Sequence, residues 1–298
     1  MKIGVVGGGA VGMFFAASLA EWFPVTLFTR TKEQADKVNQ QGIIIEERGT
    51  ASVHFVQGAS IDELPECGLD CLVVAVKQYT LPSILPLLEK TGPYPALVFL
   101  QNGMSHIEMI KSLPQKQIYV AAVEHGILKS DLVRINVRGR GKTNIAVFRG
   151  DQQAVKGMTE QAKISFPFQW WEDYETMLLG KLAANTVINP LTAILRVPNG
   201  ELISNPHYLK MAETVYQEFT AVFGKKLNEG AWDEIMHICR TTAANHSSML
   251  KDIESKRPTE VDAILGYVLS QAEEKEIALP VSAALYHMIK GIAYGKKE

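Results

Sequence analysis

The sequence has few cysteines, only Cys67, Cys71 and Cys239 among 298 residues. Three thiols are too few for a disulfide framework, and they lack the neighbouring partners that a zinc site requires. We therefore expect a reducing compartment, the cytoplasm, and no metal ion. Cys67 and Cys71 are interpreted as packing residues near the core, with a chemical role as the alternative.

The chain also lacks an excess of charge of one sign. Its 30 basic and 32 acidic residues leave a net charge of −2, which gives no electrostatic basis for binding nucleic acid or an anionic membrane. No uninterrupted apolar run has the length that a bilayer requires, and the first residues begin a strand rather than a signal peptide. The 298 residues are enough for two domains, and the 47% of apolar residues is typical of a globular protein.

The first half of the chain alternates short apolar runs with helical patterns. Each apolar run is bounded by turn residues, which is typical of strands covered on both faces. The predicted strands are Ile3–Val6, Val25–Thr29, Cys71–Val76, Ala96–Leu100 and Ile118–Val123. The predicted helices are Val11–Glu21, Lys32–Gln40, Leu81–Lys90 and Ser105–Leu113. This order predicts a parallel sheet with right-handed crossovers.

Two further patches interrupt this alternation. Residues Ile43–Ile45 and Ser52–Val56 favour an antiparallel edge pair. Residues Leu132–Val137 and Thr143–Phe148 flank a turn of alternating arginine and glycine, which predicts a hairpin. Neither patch carries obvious chemistry.

From about Asp173 onward the strand signals stop and helical periodicity replaces them. The predicted helices are Met177–Leu195, Tyr208–Val222, Ala231–Thr242, Val261–Lys275 and Val281–Ala293. The sequence therefore predicts an α/β protein with a nucleotide-binding domain over residues 1–170 and an all-helical domain over residues 171–298.

A glycine-rich turn follows the first predicted strand and opens a helix. Gly7, Gly9 and Gly12 satisfy the G-x-G-x-x-G pattern, and Gly8, Ala10 and Val11 fill the positions between them. These glycines permit a tight turn, a close approach to a pyrophosphate and close packing of helix on strand. Strand before and helix after are the confirming context, so we predict a Rossmann-type dinucleotide site. The alternative is a glycine turn with only a packing role.

The end of the second strand distinguishes between the two nicotinamide cofactors. An acidic residue there would bind the ribose hydroxyls of NAD, but this chain has Thr29-Arg30-Thr31-Lys32. Arg30 can form paired hydrogen bonds with a 2′-phosphate, and Lys32 adds charge. We therefore predict NADPH/NADP rather than NAD. The alternative for Arg30 is a solvated cation at the start of a helix.

A polar stripe crosses an otherwise apolar helical segment. Lys181, Asn185 and Asn189 are spaced four apart and share one helix face, and Pro190 is expected to kink the helix. Buried polar side chains need partners. These three residues therefore either line a cleft or belong to a satisfied structural network.

Polar residues outside this helix have a structural interpretation, as caps or turn residues, beside a functional one. The segment Asn245-His246-Ser247-Ser248-Met249 precedes a predicted short helix, where asparagine and serine are usually caps. Thr259 and Asp262, around Glu260, resemble a capping pattern. Lys77 and Asn102 follow strands at carboxyl ends, where parallel sheets bind cofactors, although Asn102-Gly103 is also compatible with a plain turn.

Taken together, these motifs resemble those of the ketopantoate reductase family over nearly the whole chain. Besides the glycine turn and Lys77, the resemblance rests on Gln101-Asn102-Gly103-Met104, Lys181-Leu182-Ala183-Ala184-Asn185, Val187-Ile188-Asn189-Pro190-Leu191-Thr192-Ala193, Pro198-Asn199-Gly200-Glu201-Leu202, Ser247-Ser248-Met249-Leu250-Lys251-Asp252 and Glu260. The resemblance implies reduction of 2-dehydropantoate to (R)-pantoate by NADPH, in pantothenate biosynthesis.

The resemblance also implies roles for individual residues. Lys181 matches the general acid and Glu260 the carboxylate linked to it. The residues matched to substrate binding are Asn102, Asn185, Asn189, Asn199, Asn245 and Ser248. Those matched to the cofactor are Gly7, Gly8, Gly9, Ala10, Val11, Gly12, Arg30, Lys77 and Asn102. Substrate is expected between the two domains, whose closure would exclude water.

One departure from the family pattern is Glu124-His125, where small hydroxyl residues are common. This pair either tunes substrate choice or is a bystander. The alternatives to the implied activity are reduction of another branched 2-keto acid and a non-catalytic NADPH-binding regulator. The expected partner is a small keto acid, and the chain is expected to be a monomer or homodimer.

Overall fold

The computed structural model describes residues 1–66, 68–91, 95–164 and 166–294, with the side chains of all of these except Glu66 and Ile164. The prediction for Cys67 lies outside the described residues. The chain divides into two compact units: the first comprises Met1–Gln101 and Glu108–Met177, and the second comprises Asn102–Ile107 and Leu178–Glu298. The division of the chain into two domains between residues 170 and 171 stays a prediction.

The first unit holds all the strands of the described chain. In chain order they are β1 (Ile3–Val6), β2 (Val25–Thr29), β3 (Ile43–Glu47), β4 (Thr50–His54), β5 (Gln57–Ser60), β6 (Cys71–Val74), β7 (Ala96–Phe99), β8 (Ile118–Val123), β9 (Gly126–Lys129), β10 (Arg134–Gly139), β11 (Thr143–Arg149) and β12 (Phe168–Trp171). They form two sheets.

The larger sheet has eight strands in the order β12-β11-β8-β7-β6-β1-β2-β5. Every pair from β8 to β5 is parallel, as predicted. The sheet is not parallel throughout, however, because β11 runs antiparallel to β8. All four residues of β1, β6 and β7 are buried, since the middle of this sheet is covered on both faces. The predicted Rossmann-type architecture is therefore confirmed.

The smaller sheet has the order β4-β3-β10-β9. The predicted edge pair is present, as β3 and β4 are antiparallel. The predicted hairpin is wrong: β10 pairs with β3 and β9 in this sheet, whereas β11 pairs with β8 and β12 in the larger one. The burial patterns give the reason. In β10 the first four residues alternate between half-buried and buried and the last two are exposed, but the first four residues of β11 are all buried. The two strands therefore belong to different environments.

The helices of the first unit include α1 (Ala10–Leu19), α2 (Lys32–Gln41), α3 (Leu81–Lys90) and α5 (Gln153–Gln161). Residues 12–19 of α1 are all buried. Phe14 and Phe15 pack on Phe166, with ring centroids 5.3 and 4.6 Å apart. This packing fixes the helix that follows the glycine turn.

The described part of the second unit has helices and no strands, which confirms the predicted all-helical second half. Two helices, α4 (His106–Ile110) and α6 (Tyr174–Leu195), contain residues of both units, because the chain is divided after Ile107 and after Met177. The others are α7 (Glu201–Ser204), α8 (Pro206–Phe223), α9 (Ala231–Thr241), α10 (Ser248–Glu254), α11 (Tyr267–Glu274) and α12 (Pro280–Tyr294). A π-helical turn, Asp262–Gly266, precedes α11.

Helix α6 is long and apolar enough to cross a membrane by length and composition alone, contrary to the sequence-based expectation. However, 72% of its most apolar stretch is buried inside the protein, as in a core helix. The helix continues through Pro190, and the kink expected there stays a prediction.

Candidate active site

The glycine turn has the backbone geometry that its sequence predicts. Gly7 adopts φ +117°, a conformation in which any side chain is strained. A Cβ atom on Gly12 would lie 1.9 Å from the Gly7 carbonyl oxygen, so only glycine lets α1 pack this closely on β1. A Cβ on Gly9 would meet no atom within 4 Å, which leaves open space beside the turn.

These features fit a dinucleotide. Gly9 is the N-cap of α1, no side chain caps the helix, and its first turn contains no acidic residue. Backbone N–H groups and the positive end of the helix dipole therefore face the open space without a competing carboxylate. Ala10 and Val11, both half-buried, begin the helix. The first unit can thus hold a pyrophosphate with its backbone.

Arg30 follows β2 and is exposed, which leaves its guanidinium accessible to a ligand. Lys32 is less available than the sequence suggests, because its ammonium lies 3.1 Å from the carboxylate of Asp36. Lys77 follows β6 and is half-buried at the start of a 3₁₀ turn, Gln78–Thr80. The carboxamide of Gln101 fixes the backbone before Lys77 by donating to the carbonyls of Val74 and Val76, both at 3.0 Å.

In the second unit, the burial of the three residues in the polar stripe of α6 distinguishes between the two alternatives for the stripe. Lys181 and Asn185 are half-buried, although the residues between them are buried, and Asn189 is 5% exposed. Among the described residues, the side-chain amides of Asn185 and Asn189 have no hydrogen-bond partner. Buried and half-buried amides without protein partners are available to a ligand, so the cleft-lining alternative is the better supported of the two.

Two residues 158 positions apart meet in the second unit. The Asn102 amide donates to Glu260 Oε2 at 3.0 Å, and Glu260 is only 6% exposed. Gly103 (φ +77°) follows Asn102, and a Cβ there would lie 2.0 Å from the Ala263 carbonyl oxygen. Asn102-Gly103 is therefore more than a plain turn, because the close approach at Gly103 places Asn102 against the turn that carries Glu260.

The predicted capping pattern around Glu260 is wrong. The Asp262 carboxylate accepts hydrogen bonds from Tyr286 Oη at 2.6 Å and Lys290 Nζ at 3.0 Å, so it is held by α12. Pairing with α12 occupies the carboxylate, whereas a box with Thr259 would need it to turn back onto its own helix.

The residues around α10 divide into structural and accessible ones. Ser247 is the true cap: its Oγ accepts from the Leu250 N–H at 3.2 Å and from Thr192 Oγ1 at 2.8 Å. The second bond ties the start of α10 to α6, one turn beyond Asn189. Asn245 and Ser248, on either side of this point, are exposed and free to contact a ligand.

Asn199 has a structural role in this structure. Its N–H donates to the Asn245 carbonyl at 2.9 Å, and its side-chain amide donates to Thr242 Oγ1 at 2.8 Å. Its side-chain oxygen is buried without a partner in the described chain. Asn199 thus holds the backbone of Asn245 in place.

Comparisons with known proteins agree with this arrangement. Residues 3–150 match the family model "Ketopantoate reductase PanE/ApbA", and residues 173–293 match "Ketopantoate reductase PanE/ApbA C terminal". A relative from Listeria innocua serovar 6a, named 2-dehydropantoate 2-reductase, is 35% identical over 294 residues, covering 98% of this chain and 97% of the relative. The chain belongs to the ketopantoate reductase family.

Solved structures show the same fold. One from Bacillus subtilis, described as "Probable 2-dehydropantoate 2-reductase", is 35% identical with a TM-score of 0.88, covering 98% of this chain and 100% of that chain. A D-mandelate dehydrogenase with NADH and anilino(oxo)acetate is 21% identical with a TM-score of 0.91, and 99% of each chain is covered. This member of the ketopantoate reductase family is an oxidoreductase of the 2-dehydropantoate 2-reductase type and uses a nicotinamide cofactor.

The Glu124-His125 departure from the family pattern is engaged within the first unit. Glu124 Oε1 accepts from the Asn144 amide at 2.6 Å. His125 Nδ1 accepts from the Gly141 N–H at 3.1 Å, and the ring stacks on Phe166 at 5.1 Å. These contacts favour the bystander alternative.

Sequence reasoning missed His106, the first residue of α4. Its imidazole is 0% exposed, and neither ring nitrogen has a partner in the described part of the chain. Burial lowers the pKa of His106 to about 4, and the charge of Glu260 opposes that fall. A lone histidine in a mixed segment gives no sequence signal for such a position. Within the described ranges, no three or more histidine, cysteine or acidic residues gather as metal ligands would.

Proposed function

We propose that this protein reduces 2-dehydropantoate to (R)-pantoate with NADPH, with Lys181 as the general acid. The observation that carries the proposal is the stripe on α6, where Lys181 and Asn185 interrupt a buried helix and the amides lack protein partners. The residue types suit the substrate, because asparagines offer both donors and acceptors to hydroxyl and carboxylate oxygens.

The bound NADPH would supply a hydride to the keto carbon. Negative charge then grows on the keto oxygen, and the Lys181 ammonium stabilises this charge and donates the proton. Glu260, buried and held by Asn102, is the carboxylate that the proposal links to Lys181.

The remaining residues have binding roles in this proposal. Asn185, Asn189, Asn245 and Ser248 hold the hydroxyl and carboxylate groups of the keto acid, and Asn199 acts through Asn245. The glycine turn, Arg30, Lys77 and Asn102 hold the cofactor. The proposal assigns cofactor binding to residues 1–170 and catalysis to residues 171–298, in a cytoplasmic monomer or homodimer that serves pantothenate biosynthesis.

A Lys181→Ala variant tests the acid. General acid catalysis contributes roughly 10²–10⁴-fold, so kcat is expected to fall by that factor while the Kd for NADPH stays within about 2-fold. Lys210→Ala, an exposed lysine on α8, is the matched control. Near-normal turnover in Lys181→Ala would refute the acid assignment, and tight NADPH binding by the unmodified protein without turnover of any keto acid would favour the regulatory alternative.

The fold alone does not specify the keto acid, since one neighbour with this fold is a D-mandelate dehydrogenase bound to NADH. Steady-state assays with 2-dehydropantoate and a panel of branched 2-keto acids, each with NADPH and NADH, separate the two enzyme readings. We expect the highest kcat/KM for 2-dehydropantoate with NADPH. Arg30→Ala is expected to weaken NADPH far more than NADH, and equal weakening would mean that Arg30 does not contact the 2′-phosphate.

A further inference from the structure

Lys129 reaches the glycine turn from the smaller sheet. It is the last residue of β9, and its ammonium donates to the Gly8 carbonyl oxygen at 2.7 Å, across 121 residues of sequence. The same oxygen accepts from the Gln34 amide at 2.8 Å. Gln34 in turn donates to the carbonyl of Leu132 at 2.7 Å, which follows β9 in the chain. The position of Lys129 beside the turn is therefore set by tertiary contacts from two elements.

Charges of both signs act on Lys129. Partial burial lowers the pKa of Lys129, the negative charge of Asp131 opposes that fall, and the positive charge of Arg30 lowers the pKa by a smaller amount. Asp131 is itself engaged, because its carboxylate accepts from the Val133 N–H at 2.8 Å and lies 3.7 Å from Arg134 Nε. Lys129 therefore lies near a second cation, Arg30, and among the described residues neither of the two forms an ion pair with a carboxylate.

Arg30, like Lys129, lacks a paired carboxylate among the described residues. In the described part of the chain, the Arg30 guanidinium has no ion-pair partner, whereas the neighbouring Lys32 forms an ion pair with Asp36. A dianionic phosphate placed between Arg30 and Lys129 would remove their repulsion and satisfy both groups. A guanidinium and an ammonium together suit a phosphate, the first through paired hydrogen bonds and the second as a point charge.

We propose that Lys129 is the second cation, beside Arg30, that binds the 2′-phosphate of NADPH and so determines the preference for NADPH over NADH. This inference rests on the cofactor preference in the proposed function. It assigns the role that the sequence suggests for Lys32 to a residue from another sheet. Lys129 would exchange its bond to the Gly8 carbonyl for a charge-assisted bond to the phosphate, or keep both with different protons.

Binding measurements on the full chain, without turnover, test the inference. The Kd values for NADPH, NADH, adenosine 2′,5′-bisphosphate and 5′-AMP are measured by calorimetry for the unmodified protein, Lys129→Met and Lys129→Arg. Lys129→Met keeps the apolar stem and removes the charge. Lys116→Ala, an exposed lysine that precedes β8, is the control.

We expect Lys129→Met to weaken NADPH and the bisphosphate by about 10-fold or more, as for a hydrogen bond to a charged group. NADH and 5′-AMP should change by less than about 2-fold, Lys129→Arg should retain most of the affinity for NADPH, and Lys116→Ala should change nothing. Equal weakening of all four ligands would show that Lys129 only shapes the glycine turn, and would overturn the inference.

The inference and the proposed function fail in different ways. If the unmodified protein binds NADPH and NADH equally, the proposed cofactor preference is wrong and the inference falls with it. If the unmodified protein prefers NADPH but Lys129→Met keeps that preference, only the role of Lys129 is wrong.

Discussion

Acidification provides a quantitative probe of His106, which lies fully buried near Glu260. An imidazole in the unfolded chain has a pKa of 6.5, whereas burial lowers the pKa of His106 to about 4 in the folded protein. Between these pH values the unfolded state binds a proton that the folded state does not. The free energy of unfolding therefore falls as the pH decreases from about 6.5 to about 4 and is unaffected by His106 above that window.

The size of this effect follows from the two pKa values. A difference of one pH unit corresponds to 1.36 kcal/mol, so the full fall from 6.5 to about 4 amounts to about 3 kcal/mol. At pH 5.5, one unit below the unfolded value, the loss is about 1.4 kcal/mol.

The His106→Gln variant isolates the contribution of His106 to the pH dependence of the free energy of unfolding, because glutamine does not titrate. Urea unfolding of both proteins at pH 7.5 and 5.5 gives two stability differences, and all other titrating groups cancel between them. We expect the unmodified protein to lose about 1.3 kcal/mol more than the variant on acidification from pH 7.5 to 5.5. His207→Gln, which removes an exposed histidine of α8, should not reproduce the effect.

NMR titration of the His106 ring protons measures the same quantity directly. A ring pKa above 6, or an equal acid sensitivity of the unmodified protein and His106→Gln, would refute the reasoning. Glu260→Gln should lower the ring pKa further, since it removes the charge that opposes the effect of burial.

The other predictions concern backbone geometry and thiols. Gly103→Ala should lower the free energy of unfolding by more than about 1 kcal/mol and reduce kcat, because φ is +77° and a Cβ would lie 2.0 Å from a backbone oxygen. Gly157→Ala, with open space around its Cβ, is the control. Equal effects of the two variants in urea unfolding would contradict this account. In a Cys67→Ser background, Cys71 and Cys239 should resist Ellman's reagent at pH 8 until denaturant is added, since burial raises the pKa of the two thiols to about 12 and about 11. Rapid reaction of the folded protein would count against that burial.

The sequence predicted the central strands well. Ile3–Val6, Val25–Thr29 and Ile118–Val123 lie within the predicted bounds. All four residues of Ile3–Val6 are buried, so an apolar run is the only pattern that such a strand can have, and adjacent turn residues mark its ends. The glycine turn was equally readable, because Gly7, Gly9 and Gly12 form their pattern within six consecutive residues.

Strands whose stability comes from partners distant in sequence were missed. Gln57–Ser60 has little apolar content but pairs with β2, and Phe168–Trp171 pairs with β11. The hairpin error has the same origin. Neighbouring strands in sequence usually pair, and the turn between β10 and β11 is short, yet their different burial places them in different sheets.

The candidate site likewise has features that follow from neighbouring residues and features that depend on residues distant in sequence. The spacing of Lys181, Asn185 and Asn189 was readable as one helix face. The bond between Asn102 and Glu260 joins residues 158 positions apart; family resemblance singled out each residue, but nothing in the sequence paired them. Lys129 was missed because its contact with Gly8 depends on the fold of the smaller sheet.

A crystal structure of the complex with NADP⁺ and pantoate tests the central claim most directly. The account predicts that the Lys181 ammonium lies within about 3.2 Å of the pantoate oxygen derived from the keto group, close enough to exchange a proton. An ammonium directed into bulk solvent, with another donor on that oxygen, would contradict it.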